Sequence, residues 1–224
     1  MRAIILAGGK GTRLRPYTVV FPKPLMPIGN HPILEVVIRQ LAYYKFTHIT
    51  IAVNYQADLI KSFFGDGNKW SVKIDYSMED MPLSTMGPLK LIKDLPEDFL
   101  IMNGDILTDL NFKELYLYHV SHKNLFTISS SQREVKNDYG VLDVKESGEL
   151  TGFCEKPVVK YDVSMGVYVA NKRILDYIPE NEAYGFDNLM LRLIESNNPV
   201  NVKRFNGYWL DIGRHGDYLQ AIEV

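Results

Sequence analysis

The sequence predicts an α/β fold, a mostly parallel mixed sheet with helices on both faces. Short apolar runs alternate with helix-length amphipathic segments through the first half, a glycine-rich turn follows the first run directly, and carboxylates follow two later runs. Ala3–Ala7 is an apolar run with the pattern of a buried strand. Pro32–Tyr44 carries Ile33, Leu34, Val37, Ile38 and Leu41 at helical spacing. Ile49–Val53 is a second strand, Gln56–Phe64 a helix stopped by Gly65, and Val72–Tyr76 and Phe99–Met102 the next strands. Asn111–His122 is helical. After about Asn124 the rhythm changes to strands at Leu125–Ser130, Gly140–Val144, Glu149–Cys154 and Met165–Ala170, with Ser147-Gly148 a turn. Helices are predicted over Lys172–Ile178 and Asp187–Ser196, then strands at Val200–Phe205 and Tyr208–Leu210, and a last helix from His215. The second half is expected to extend the sheet of the first, giving one domain over 1–224 with halves at about 1–123 and 124–224.

The 224 residues suffice for a substantial core, and 46% hydrophobic with 23% charged side chains is an ordinary globular balance. The formal net charge is -2, and no stripe of Lys or Arg points to nucleic acid. One cysteine, Cys154, excludes an internal disulfide and a Cys₄ zinc site; with no base beside it, it reads as a packed core residue. The N-terminal apolar stretch is shorter than a signal peptide's, and no segment approaches the ~18 apolar residues of a membrane span. A cytoplasmic protein without a membrane partner is the expectation. His119 and His122 lie three apart on a predicted helix with no third ligand.

Leu6-Ala7-Gly8-Gly9-Lys10-Gly11-Thr12-Arg13-Leu14 is the most informative segment. A loop at the C-terminal end of a strand is where α/β sheets place ligands, and its glycines let backbone N–H groups approach an anion. Arg13 adds a charge suited to phosphate. The segment is neither a P-loop nor a dinucleotide fingerprint, since Leu14 stands in place of the third glycine. Taken alone, a tight strand-to-helix turn is the lesser alternative. Pro16, Pro22, Pro24 and Pro27 then stiffen a strap that carries Lys23. Asp105, in Asn103-Gly104-Asp105, and Asp211, in Leu210-Asp211-Ile212-Gly213, each follow an apolar strand. Each is a helix-cap or turn residue if read singly; together they could hold Mg²⁺, which takes few protein ligands.

The run from Gly8 to Thr18 with Pro22-Lys23-Pro24-Leu25-x-Pro27 resembles the opening motif of the sugar-1-phosphate nucleotidyltransferases. Later matches carry the resemblance over essentially the whole chain, and it is similar to the short mannose-1-phosphate guanylyltransferases. The resemblance implies a Rossmann-like three-layer sandwich with a small sugar-binding lobe in the second half. It implies transfer of a nucleoside monophosphate, GMP from GTP for preference, to a sugar 1-phosphate with release of pyrophosphate. Uridylyl, cytidylyl or thymidylyl transfer is the alternative, and a catalytically silent nucleotide-sugar-binding subunit is the alternative of another class. By resemblance, Leu6, Ala7, Gly8, Gly9, Gly11, Thr12, Pro82, Ser84, Thr85, Gly87 and Asn103 bind the nucleotide. Arg13 and Lys23 contact its phosphates and, with Asp105 and Asp211 holding Mg²⁺, form the catalytic set. Gly140, Glu155, Lys156 and Ser164 bind the sugar phosphate. Two positions depart from the family pattern: Ser84 replaces a glycine and Ser164 an asparagine. An assembly of identical chains is compatible with the sequence.

Overall fold

A computed structural model of the chain describes residues 1–54 and 56–223. The strands in chain order are β1 (Arg2–Leu6), β2 (Pro27–Ile28), β3 (His31–Pro32), β4 (His48–Val53), β5 (Lys73–Met78), β6 (Asp98–Asn103) and β7 (Ile106–Thr108), followed by β8 (Phe126–Lys136), β9 (Val141–Val144), β10 (Leu150–Cys154), β11 (Val158–Asn171), β12 (Val200–Arg204) and β13 (Trp209–Asp211). The helices are α1 (Ile33–Tyr43), α2 (Ala57–Phe64), α3 (Phe112–Ser121), α4 (Phe186–Glu195) and α5 (His215–Ile222). The seven-stranded sheet has the order β12-β8-β11-β6-β1-β4-β5. β11 alone is reversed: it pairs antiparallel with β6 and β8, and every other contact in the sheet is parallel. The second half does extend the first half's sheet, through β11, β8 and β12.

Alternate residues of the central strands face opposite layers, because side chains alternate along a strand. Ala3 and Ile5 pack with α1, α2 and α3 through Leu34, Val37, Ile60, Phe64, Phe112 and Leu115. Ile4, Phe99 and Ile101 pack on the other side with α4, through Leu189 and Leu193, and with two 3₁₀ segments, through Leu89 and Ile174. A strand buried on both faces needs a continuous apolar run, which is why Ala3-Ile4-Ile5 shows no alternation in the sequence. The result is the Rossmann-like three-layer sandwich.

Three differences from the sequence reading have plain causes. The segment predicted as a helix over Lys172–Ile178 is a 3₁₀ run, Lys172–Tyr177; Pro179 disfavours a helical conformation at Ile178. Leu125–Ser130 and Met165–Ala170 are only parts of longer strands. Beyond the sheet, β8 and β11 continue as a two-stranded ribbon, with Val135 opposite Val159 and Glu134 opposite Lys160. Ribbon and hairpin (β9 and β10) stand clear of the core, so that none of residues 131–164 is buried. Cys154, expected in the core, is exposed at the end of β10 for that reason.

A third apolar cluster matters most for the site. Leu14, Met26, Ile33, Leu107, Leu210, Ile212 and Ala221 join the loop after β1, the proline strap, α1, the β7–β13 pair and α5. It sits at the rim where β1 and β6 end, and it fixes the segments that carry the charged residues.

Candidate active site

The chain leaves β1 into the glycine loop, which is anchored at both ends. Ala7 N–H donates to Ala52 at 2.9 Å and Gly104 N–H donates to Leu6 at 3.0 Å, so β4 and β6 clamp the loop's start. Gly11 has φ of 60°, a left-handed conformation that favours glycine. The Thr18 hydroxyl donates to the Gly11 carbonyl at 2.7 Å, tying the proline strap to the loop. A 3₁₀ turn over Lys23–Leu25 then aims Lys23 inward; Leu25 N–H donates to Pro22 at 2.8 Å. The other end of the strap is held by α5, where Tyr218 donates to the Pro27 carbonyl and His215 contacts the Arg15 carbonyl.

Between these segments lies a cavity of about 500 Å³. Of the residues predicted to bind nucleotide, Leu6, Ala7, Gly8, Gly9, Gly11, Thr12, Arg13, Lys23, Pro82, Ser84, Thr85 and Asn103 line it, and Asp105 joins them. Gly87 does not. It is buried behind the wall, donating to the Tyr184 carbonyl at 3.0 Å, and a Cβ there would lie 2.9 Å from the Glu182 carbonyl oxygen. Its glycine is required by packing against the chain entering α4. Ser84 has φ of 63°, which explains why glycine suits that place better.

Asp105 and Asp211 come from residues far apart in sequence but meet at one rim. β7 and β13 pair antiparallel with Asp211 opposite Ile106, and Ile212 N–H donates to the Asp105 carbonyl at 3.1 Å. Lys23 Nζ forms an ion pair with Asp105 Oδ2, while Asp105 Oδ1 is buried with no hydrogen-bond partner. The Arg13 guanidinium lies across Gly213, with Nη1 3.5 Å from where a Cβ would stand. Burial raises the Asp211 carboxyl above its ordinary range, and Asp105 adds to the rise; Lys23 and Arg13 pull it back in part. Two adjacent carboxylates, one with an unsatisfied buried oxygen, fit a small hard cation that keeps most of its water. Among the described residues no three His, Cys, Asp or Glu side chains group together as ligands, and His119 is buried against Thr127, its Nδ1 2.8 Å from the hydroxyl.

The four residues assigned to a sugar phosphate lie outside the wall of this cavity. Gly140, Glu155 and Lys156 belong to the exposed lobe. A Cβ on Gly140 would lie 2.6 Å from the Phe153 ring and 3.1 Å from Glu155 Oε2, so the glycine accommodates Phe153 and Glu155 above it. Ser164 is nearer the rim: its hydroxyl is 3.0 Å from Tyr168 Oη. Burial pushes the Tyr168 phenol up to about 12, with the negative Asp211 contributing. The register of β11 against β8 shifts between Ser164 and Tyr168, and there Gly166 lies against Asn103, whose Nδ2 would be 2.7 Å from an added Cβ.

Glu79 also lines the cavity, and sequence reasoning gave no role to two further polar residues of the wall, Lys10 and Asn54. Asn54 follows β4 as Asn103 closes β6, so the rule that ligands gather at C-terminal strand ends could have found it. Its Nδ2 donates to the Glu79 carbonyl at 3.0 Å.

A glycine loop, two cations and two carboxylates thus gather at the carboxyl rim of a Rossmann-like sheet, the edge where α/β folds place ligands. The chain matches the family described as nucleotidyl transferase over residues 2–224 and belongs to it. It is 33% identical over 242 residues to a UTP--glucose-1-phosphate uridylyltransferase of Synechocystis sp., across 99% of this chain and 62% of that protein. It is 36% identical over 230 residues to a mannose-1-phosphate guanyltransferase of Aspergillus oryzae, across 99% and 63%. The chain therefore spans less than two thirds of the length of these relatives. Among solved structures, HddC from Yersinia pseudotuberculosis complexed with GMP-PN superposes with a TM-score of 0.74 at 27% identity, covering 99% of this chain and 98% of that one. No described helix is long and apolar enough to cross a membrane.

Proposed function

We propose that the chain transfers GMP from GTP to a sugar 1-phosphate and releases pyrophosphate. The observation that carries this reading is the gathering of Arg13, Lys23 and Asp105 in the wall of a glycine-lined cavity, with Asp211, outside that wall, close enough to feel the charges of all three. The similarity to guanylyl-transferring relatives and to a structure complexed with GMP-PN supports the base. A uridylyl reading is favoured by one observation, the Synechocystis relative.

In this mechanism the sugar phosphate's oxygen attacks the α-phosphorus in line. A new P–O bond forms as the bond to the β-phosphate oxygen breaks, and the electron pair leaves with pyrophosphate. The nucleophile is already an anion, so no general base is needed. The chain's part is positioning and charge neutralisation. Backbone N–H groups of Gly8, Gly9 and Gly11 face the triphosphate; Arg13 and Lys23 offset its charge; Asn103 and Thr12 order the nucleotide. Asp105 and Asp211 are the residues that would hold Mg²⁺, whose charge would stabilise the transferring phosphate. Lys23 must then exchange its partner Asp105 for a phosphate oxygen.

The exposed lobe, with Gly140, Glu155, Lys156 and Ser164, would take the sugar phosphate, and residues 1–224 would act as one domain in the cytoplasm. The test is pyrophosphate release from GTP, UTP, CTP, dTTP and ATP against a panel of sugar 1-phosphates. GTP is expected to lead. Nucleotide binding with no turnover on any pair would overturn the reading in favour of a silent subunit.

A further inference from the structure

The proline strap has little to hold its middle. Val19, Val20 and Phe21 are each more than half exposed. Near this apex Gln56 reaches the strap, its Nε2 donating to the Val20 carbonyl at 3.1 Å. Yet Lys23, which in the proposed transfer leaves Asp105 for a phosphate oxygen, projects from this segment. A lysine is a charge on a flexible four-carbon stem, so the reach of its ammonium depends on where its backbone is fixed.

The two ends of the strap are fixed from α5. His215 Nε2 lies 2.7 Å from the Arg15 carbonyl; a carbonyl only accepts, so this nitrogen carries the proton and donates. The Tyr218 hydroxyl donates to the Pro27 carbonyl at 2.9 Å. These two carbonyls bracket Lys23 along the chain. The Tyr17 ring packs against both side chains, with centroids 5.5 Å from His215 and 5.9 Å from Tyr218. α5 is itself firmly seated. Ala221 lies in the buried cluster with Met26 and Ile212, and Asp217 Oδ2 accepts from Arg214 N–H at 2.8 Å and Gly213 N–H at 3.2 Å at the start of the helix. Neither His215 nor Tyr218 lines the cavity.

We infer that His215 and Tyr218 are positioning residues for phosphate binding: acting through the strap, they set the reach of Lys23. The inference rests on the phosphate-binding part of the proposed reaction and is independent of which base and sugar are used. A side chain that must exchange a carboxylate for a phosphate is sensitive to small displacements of its backbone, because both partners stand at fixed places on the rim.

Pyrophosphate with excess Mg²⁺ is the probe, since it carries neither base nor sugar. Titrations of the unaltered chain, Tyr218→Phe, Lys23→Met and the double variant form a thermodynamic cycle. Tyr218→Phe keeps the ring and removes only the donor. Its affinity for pyrophosphate should fall about 3- to 10-fold, the scale of one hydrogen bond. In the Lys23→Met background the same substitution should cost nothing further. His215→Ala should behave as Tyr218→Phe does, and His215→Gln, which keeps a donor at a similar reach, should recover most of the loss. Undiminished affinity in Tyr218→Phe overturns the inference. An equal loss in both backgrounds also overturns it, since the effect would then run through the fold or the glycine loop and not through Lys23. Failure of the guanylyl reading shows in the substrate panel and leaves this cycle readable. Unchanged pyrophosphate affinity in Lys23→Met would overturn the phosphate role of Lys23, and the inference with it.

Discussion

The cavity rim and the exposed lobe are made of the same materials, strand ends and short turns, but they are held in different ways. At the rim every segment has an apolar anchor. Leu14, Met26, Leu107, Leu210 and Ile212 share one buried cluster, so the loop, the strap and both carboxylates are placed by packing. In the lobe, from residue 131 to 164, no side chain is buried. Its strands are held by cross-strand hydrogen bonds and ion pairs such as Lys160–Glu134 at 2.9 Å and Arg204–Asp162 at 2.6 Å. Exposed pairs of this kind contribute about 0–1 kcal/mol each. The rim is built to be rigid where charge must be positioned; the lobe keeps its shape without a core of its own.

Substitutions on the two sides separate these descriptions. The largest effect should come from Asp211→Ala, with kcat/KM reduced by about 10²–10³, the scale of removing one preorganised electrostatic group. Its melting temperature should not fall, since the loss removes a carboxylate that Asp105 repels; pyrophosphate release and thermal unfolding measured together check both. Next comes a pair of aromatic truncations. Phe126 is fully buried and stacks near Tyr168, with ring centroids 5.5 Å apart, so Phe126→Ala should cost about 3–5 kcal/mol by denaturant unfolding. Phe153 is 62% exposed, and Phe153→Ser should shift stability by no more than about 0.5 kcal/mol. Equal costs would mean that the lobe is packed against something after all.

Gly11→Ala should be intermediate. Its φ of 60° penalises any side chain, and a Cβ would lie 2.9 Å from Thr18 Cγ2. A loss of about 1–3 kcal/mol is expected, with weakened GTP binding because the loop and strap share that contact. The smallest effect is on pH dependence. Because Glu79 titrates above its ordinary range in the fold, the native state holds its proton to higher pH than the unfolded chain does. Its contribution to stability is therefore present at low pH and lost as pH rises through the raised value. Glu79→Gln should flatten that decline in a melting series against pH.

The contrast between the two regions also explains what the sequence revealed. Ala3–Ile5, Ile49–Val53 and Phe99–Met102 were legible as strands because burial on both faces demands unbroken apolar runs. The convergence of Asp105 and Asp211 followed from two strand-then-carboxylate patterns, although their adjacency depends on the β7–β13 pair. The three residues Ile106–Thr108 were too short to show as a strand. In the lobe, apolar alternation at Leu142 and Val144 reads as a half-buried strand, yet both residues are more than half exposed; alternation reports an amphipathic strand, not a covering layer.

If Asp105 and Asp211 form a cation-dependent phosphate site beside Arg13 and Lys23, nucleotide binding must respond to Mg²⁺ through them. Calorimetric titration of GTP with and without Mg²⁺, on the unaltered chain and on the Asp105→Asn, Asp211→Asn double variant, tests it most directly. Mg²⁺ should tighten binding to the unaltered chain and have no effect on the variant. Equal Mg²⁺ enhancement in both proteins would contradict it.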